Sequence, residues 1–302
     1  MSNRPAGMYT RGRLALLLSL ALTFSACATQ KRIVAFGDIH GDLEATRAAL
    51  RLAGAIDGED RWAGGPLVVV QTGDQLDRGD DERAILDLFE RLRVEAQAAG
   101  GAFHALLGNH ELMNVRGDLR YVTEGGFADF AYANGPRDEP FLAQFEEHEQ
   151  GRMAAFMPGG TYARLLAERS VILKVGSTVF VHGGVLPEHV AYGVERINKE
   201  AQAWLRGEAA LPEVLAGSDS PQWVRLYSRA ADSVACETLA QVLDRMDAER
   251  MVVGHTVQEG GIASACEGRA WLIDVGMAEH YGGTVEVLEI DGDLVRALGG
   301  SR

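Results

Sequence analysis

At 302 residues and 47% hydrophobic content, the chain is long enough to bury one large core or two smaller ones. Its formal charge of -14 disfavours any partner held through a phosphate backbone, because nucleic-acid binding relies on Lys and Arg displacing counterions. No nucleic-acid partner is expected.

The first segment differs in kind from the rest. Arg11 and Arg13 precede the apolar run 14-LALLLSLALTF-24, and the small residues 25-SACA-28 follow. A basic start, an apolar centre and a small-residue cleavage site make a secretory signal, and the run is shorter than the roughly 20 residues of a membrane-spanning helix. Residues 1–26 are therefore read as a signal peptide. Cys27 sits where a bacterial lipoprotein signal places its lipidated cysteine, although Phe24 replaces the usual Leu, Val or Ile. Cleavage after Ala28, at the A-x-A made by Ala26 and Ala28, is the alternative. Either cut gives an exported, periplasmic protein, and the first also attaches it to the membrane through a lipidated Cys27. Losing residues 1–26 removes Arg4, Arg11 and Arg13 and no acid, so the charge falls from -14 to -17.

From residue 31 onward a pattern repeats: a short apolar run ends in Gly and polar residues. It occurs in 33-IVAFGDIHG-41, 67-LVVVQTGDQLDRG-79, 103-FHALLGNHE-111, 178-TVFVHGG-184, 251-MVVGHT-256 and 271-WLIDVG-276. Near-continuous apolar runs suit strands buried on both faces. Helical patterns lie between several of them, at 42–55, 80–99 and 237–249, so the fold is read as α/β. Polar residues after such strands collect at the carboxyl edge of the sheet, where ligands bind. The six runs span residues 33 to 276, and one catalytic domain over 31–302 is expected. Residues 116–166 break the rhythm with no clear strand and eight aromatic residues among Gly and Pro. This insertion is read as a largely helical cap over the site, with a plain packing subdomain as the alternative.

The two cysteines left after the signal, Cys236 and Cys266, can form a disulfide in an oxidising compartment or stand as buried free thiols; the sequence leaves both open.

The strand-end polar residues are Asp38, His40, Asp74, Asn109, His110, His182 and His255. Half of the eight histidines fall in such Gly-flanked positions. Carboxylate, imidazole and amide oxygen suit a divalent transition metal. Six ligands exceed the needs of one tetrahedral ion and suit a pair of ions about 3.5–4 Å apart that share an Asp.

The ordered set 37-GDIHG-41, 73-GDQLDRG-79, 108-GNHE-111, 182-HGG-184 and 254-GH-255 resembles the calcineurin-like metallophosphoesterases. Its D-R-G extension narrows the resemblance to the phosphoprotein phosphatase group, and 106-LLGNHELMN-114, 117-GDLRYV-122 and 252-VVGHTVQ-258 look most like the bacterial Shewanella-like protein phosphatases. The resemblance implies a layered metallophosphoesterase fold, a β-sandwich core flanked by helices. It implies two divalent transition metal ions, Mn2+ in vitro with Fe or Zn as alternatives, the first bound by Asp38 and His40, the second by Asn109, His182 and His255, with Asp74 bridging. By the same resemblance His110 donates a proton to the leaving oxygen and is held by Asp77, while Arg78 grips phosphate with its guanidinium fork. Glu111 secures the turn by hydrogen bonding or simply starts a helix. A second phosphate-binding Arg is expected between His182 and His255; Arg225 in 222-QWVRLYSR-229 is chosen over Arg229.

The implied reaction is hydrolysis of a phosphomonoester, on a phosphoprotein or a small phosphoester, by a hydroxide held between the ions and without a phosphoenzyme. None of the three Cys begins the C-x5-R signature of cysteine-dependent phosphatases. Leu107 replaces the Arg common before G-N-H-E in eukaryotic members, and 274-DVGMAEHYGG-283 stands where S-A-P-N-Y-C is expected, which disfavours toxin-sensitive Ser/Thr phosphatase behaviour. Phosphotyrosine is the preferred substrate, from the resemblance and from aromatics such as Tyr121 and Phe127 in the insertion. The alternatives are a dinucleoside polyphosphate hydrolase or phosphodiesterase of the same superfamily, and an inactive phosphate-binding module.

Overall fold

Each of the six apolar runs overlaps a strand, and five of these strands lie inside two sheets while the one at 102–105 forms an edge. The computed structural model describes residues 1, 2, 7, 31–133 and 140–299; the apolar run of the signal segment and Cys27 lie outside the described residues. The strands are β1 (Ile33–Phe36), β2 (Val68–Gln71), β3 (Ala102–Ala105), β4 (Ile172–Val175), β5 (Thr178–Val181), β6 (Arg250–Val253), β7 (Ala263–Ala265), β8 (Ala270–Leu272), β9 (Glu286–Asp291) and β10 (Leu294–Gly299). The helices are α1 (Leu43–Leu52), α2 (Glu82–Ala98), α3 (Asn109–Val115), α4 (Glu124–Phe130), α5 (Glu147–Phe156), α6 (Thr161–Leu166), α7 (Pro187–Tyr192), α8 (Val194–Leu205) and α9 (Ser233–Arg245).

One sheet has the order β10-β9-β1-β2-β3 and the other β4-β5-β6-β8-β7. Strands β1, β2 and β3 run parallel, as do β5, β6 and β8, so in each sheet their carboxyl ends share one edge. Alternation along the strands builds the layers. Ile33, Ala35, Val68 and Val70 meet Phe180, Val252 and Ile273 in a core between the sheets. The opposite side chains, Val34, Phe36 and Val69, pack on the α1 and α2 residues Leu50, Ile85 and Phe89. On the other outer face Val179, Val181 and Val253 pack on Trp204, Leu239 and Leu243. The result is a sheet-on-sheet core with helices on both outer faces.

Helix α9 begins earlier than the apolar pattern at 237–249 suggests. Asp232 accepts the Ala235 N–H at 2.9 Å, so capping chemistry sets this end. Residues 109–111 are likewise not strand end but the first turn of α3, because β3 stops at Ala105.

Between residues 116 and 166 the described chain forms α4, a 310 turn over Pro140–Gln144, α5 and α6. Phe130, Phe156 and Tyr162 from this insertion are buried in the same cluster as Val181 and Val253. This side of the insertion packs into the body of the molecule, Leu119, Leu142, Met153 and Ala154 form a small cluster of their own, and among the described residues of the insertion Tyr121, Thr123, Glu124 and Gly125 line the cavities at the catalytic edge.

Candidate active site

All the strand-end residues meet. Asp38 and His40 follow β1, Asp74 follows β2, His182 follows β5 and His255 follows β6, while Asn109 and His110 open α3. The loops can come this close because glycines line them: a Cβ at Gly108 would run into the Asp74 carboxylate. Five non-glycine residues here, His40, Asp74, Asp77, Arg78 and His255, hold positive φ between 39° and 76°. Each such conformation costs about 1 kcal/mol or more, a kind of strain that gathers at functional sites.

Two groups share Asp74. His40, Asp74 and His110 form one, and Asp74, His182 and His255 the other. In the first, His40 Nε2 lies 3.8 Å from Asp74 Oδ2 and 4.0 Å from Asp38 Oδ2, and its Nδ1 lies 3.0 Å from the Leu76 carbonyl. That carbonyl takes the Nδ1 proton and turns the Nε2 lone pair toward the carboxylates. In the second, His182 Nδ1 faces the Thr72 carbonyl at 3.0 Å. His182 Nε2 is 2.9 Å from Asn109 Oδ1, 3.1 Å from His255 Nδ1 and 3.2 Å from Asp74 Oδ2. Lone pairs thus converge where the donor proton is committed elsewhere, and His255 Nε2 is buried without a hydrogen-bond partner. Such a cluster of acceptors fits divalent cations.

The electrostatics agree. Burial pulls His40 down to about 4 and His255 down to about 2, leaving both neutral, the form that ligates metal. Burial and the neighbouring Asp274 and Asp74 push Asp38 up. Asp74 goes well below the usual carboxylate range: burial opposes this, but His182 and His110 outweigh it. Burial also lowers His110, yet Asp74 and Asp77 win and raise it to about 9. Its Nδ1 lies 2.5 Å from Asp77 Oδ2, and its Nε2 lies 3.8 Å from Asp74 Oδ2.

These groups open onto a cavity of about 140 Å3 that Arg78 and Arg225 also line. The Arg78 guanidinium lies over the Tyr121 ring, 4.0 Å from its centre. Arg225 Nη1 donates to the His255 carbonyl at 2.7 Å and to Thr256 Oγ1 at 2.8 Å. Arg229 is exposed and does not line the cavity. Phe127 also lies elsewhere, its ring against His148.

Sequence reasoning missed Asp274, Trp223 and Tyr281, which line the same cavity. Asp274 carried a weaker signal, since it follows the apolar run 271-WLI-273 and lies two residues before Gly276. Burial pushes it up to about 6. Trp223 and Tyr281 come from loops with no periodicity to mark them.

The profile of the calcineurin-like phosphoesterases matches residues 31–259. The chain belongs to this family. It is 40% identical over 296 residues to Shewanella-like protein phosphatase 2 of Arabidopsis thaliana, an alignment that spans 87% of this chain and 76% of the relative. With Shewanella-like protein phosphatase 1 of Plasmodium berghei it shares 30% identity over 281 residues, 88% of this chain and 74% of the relative. Among solved structures, the fold resembles a cold-active protein tyrosine phosphatase of a psychrophilic Shewanella species, with a TM-score of 0.70 and 24% identity over 89% of this chain and 80% of that one. It also resembles a protein serine/threonine phosphatase of Saccharomyces cerevisiae, with a TM-score of 0.57 and 13% identity over 91% of this chain and 82% of that one. This calcineurin-like phosphoesterase is a metal-dependent phosphatase of the Shewanella-like protein phosphatase group.

Proposed function

We propose that the chain is a dinuclear-metal phosphomonoesterase that acts on phosphoproteins, prefers phosphotyrosine, and uses His110 as the general acid. The observation that carries this is the place of His110: Nδ1 faces Asp77 Oδ2 at 2.5 Å, which leaves Nε2 for the cavity that Arg78 and Arg225 line. Asp38, His40 and Asp74 would hold one ion, and Asp74, Asn109, His182 and His255 the other. Bound ions supply activation of the attacking water and offset charge on the phosphoryl oxygens. The chain's own groups do the rest. Arg78 and Arg225 orient the phosphoryl group, and His110 gives its Nε2 proton to the departing oxygen.

The preference for phosphotyrosine draws on the rings of Tyr121, Trp223 and Tyr281 in the cavity lining, which suit an aryl leaving group. It also draws on the likeness to the Shewanella structure, that of a protein tyrosine phosphatase. Matched phosphotyrosine and phosphoserine peptides, compared by kcat/KM, test it. A higher value for phosphotyrosine is expected, and equal values refute the preference.

Export belongs to the same reading. Cys236 and Cys266 are joined by a disulfide across 30 positions, which suits an oxidising compartment, and Cys27 is proposed as the lipidated N-terminus. Acidic residues Asp42, Glu44, Asp80, Asp81, Glu124 and Glu279 line an adjoining cavity of about 840 Å3. Their charge opposes the polyphosphate chain of a dinucleoside substrate.

A further inference from the structure

The insertion sends one arginine into the interior. Arg152, on α5, is 0% exposed, as are its neighbours Asp77, Glu82 and Asn114. Its Nη2 donates to Glu82 Oε1 at 2.8 Å while Nη1 pairs with Glu82 Oε2 and donates to the Gly126 carbonyl at 2.8 Å. Nε donates to Asn114 Oδ1 at 2.8 Å. Nη2 also lies 3.5 Å from Asp77 Oδ1, and the guanidinium carbon sits 5.1 Å from the centres of both Phe130 and Phe156.

Asn114 connects this arginine to the proton donor. An amide has one end that accepts and one that donates. Because Arg152 Nε holds Oδ1, the Nδ2 end is turned the other way, where it donates to Asp77 Oδ1 at 2.9 Å and to the His110 carbonyl at 2.9 Å. With Oδ1 so occupied, Asp77 offers Oδ2 to His110 Nδ1. Glu82 holds the same loop from behind, its Oε1 accepting the Asp77 N–H at 2.5 Å. Arg152 is also the cation among these buried carboxylates: without it Asp77 and Glu82 face each other in a dry interior.

We propose that Arg152 is a positioning residue for catalysis, fixing Asn114 and Asp77 so that His110 presents Nε2 to the leaving oxygen. The insertion thus acts on the chemistry from behind the site. This inference rests on His110 as the general acid.

The test compares His110→Ala, Arg152→Met, Arg152→Lys and the His110→Ala/Arg152→Met double variant, each loaded with Mn2+ and assayed for metal content and thermal stability. Substrates are phenyl phosphate, which has a poor leaving group, and p-nitrophenyl phosphate, which has a good one. Loss of proton donation falls mainly on the poor leaving group. Arg152→Met is expected to lower kcat/KM on phenyl phosphate by about 10- to 100-fold, with a smaller loss on the nitro ester, unchanged metal content and partial recovery in Arg152→Lys. In the His110→Ala background the same substitution is expected to cost little more. Equal losses on both esters, or the same fold-loss with His110 already removed, overturn the inference and leave Arg152 a structural residue. If His110→Ala itself shows no dependence on the leaving group, the general-acid assignment falls and the inference with it. Should Arg152→Met fail to fold, Asn114→Ser keeps the Arg152–Glu82 pair and is read by the same criteria.

Discussion

Glu111 reaches back from the first turn of α3 so that its Oε2 accepts the Asp74 N–H at 2.9 Å and the Gly108 N–H at 2.7 Å. Its Oε1 accepts the N–H groups of Gln75 at 2.8 Å and Leu76 at 3.2 Å. One buried carboxylate therefore ties the loop after β2 to the loop after β3, and Asp74 keeps its positive φ within that clamp. Glu111→Ala leaves these donors without their acceptor and is expected to cost about 3 kcal/mol or more. Urea unfolding measures this, and a loss below about 1 kcal/mol would show the loops to be held otherwise.

Asp74 and His110 are expected to fail in different ways. Asp74→Asn removes the charge shared by both ligand groups, so elemental analysis should show metal lost along with activity. His110→Ala should retain metal and lose about 10²- to 10⁴-fold in turnover. Chelation should abolish hydrolysis in the parent protein and Mn2+ should restore it. An active preparation free of metal, or a His110→Ala variant that has lost its metal, contradicts the division of roles.

The raised His110 value has a sign that can be checked in metal-free protein. Its folded value of about 9 exceeds the ordinary value of about 6.5. The folded state therefore holds the proton more tightly, and the resulting stability is complete below about 6.5 and lost as pH rises through about 9. Chelated protein should unfold at lower urea at pH 9.5 than at pH 6.5. The part due to His110 is the part that disappears in His110→Gln, and an identical pH dependence in that variant would remove His110 as its source.

The proposed ligand set was legible because each residue comes after a strand, and these strands show as short apolar runs with Gly at or near the end. Asp38, His40, Asp74, Asn109, His182 and His255 all carried that local signal. Arg152 did not. It lies in a helix with no apolar periodicity to fix its face, and its partners Glu82 and Asn114 are 70 and 38 positions away. Tyr281 and Trp223 were hidden for a related reason, since loop side chains take their direction from tertiary packing. Arg225 and Arg229 differ by four residues, and only the path of the loop distinguishes them.

The disulfide makes the compartment testable. It closes α9 onto the turn between β7 and β8, and a loop of this size is worth about 3 kcal/mol. Cys236→Ser/Cys266→Ser should lose stability of that order, and mass spectrometry of protein from the native cell should find the bond formed. A reporter fused to residues 1–30 should be exported, with the mature chain beginning at lipidated Cys27. A mature chain beginning at Thr29 would keep export and refute the lipid anchor, while retention of the reporter in the cytoplasm would refute both.

Tyr281 is the best single probe of substrate choice. Its ring packs 5.3 Å from that of His40, it is 41% exposed, and it lines the catalytic cavity from the loop after β8. Tyr121 is less suitable, because its ring lies under Arg78 and its carbonyl accepts the Arg78 N–H at 3.1 Å, so its loss would disturb phosphate binding for every substrate. If the Tyr281 ring meets the aryl leaving group, Tyr281→Leu removes an aromatic pair worth about 0.5–1.5 kcal/mol. The expected result is a fall in kcat/KM of about 2- to 10-fold on a phosphotyrosine peptide, with the matched phosphoserine peptide unaffected. Phenolate leaves more readily than alkoxide whatever the protein does, so the ratio between the two peptides before and after the substitution is the quantity to compare. An equal fall on both peptides would make Tyr281 a support for His40 and leave the preference for phosphotyrosine without its structural basis.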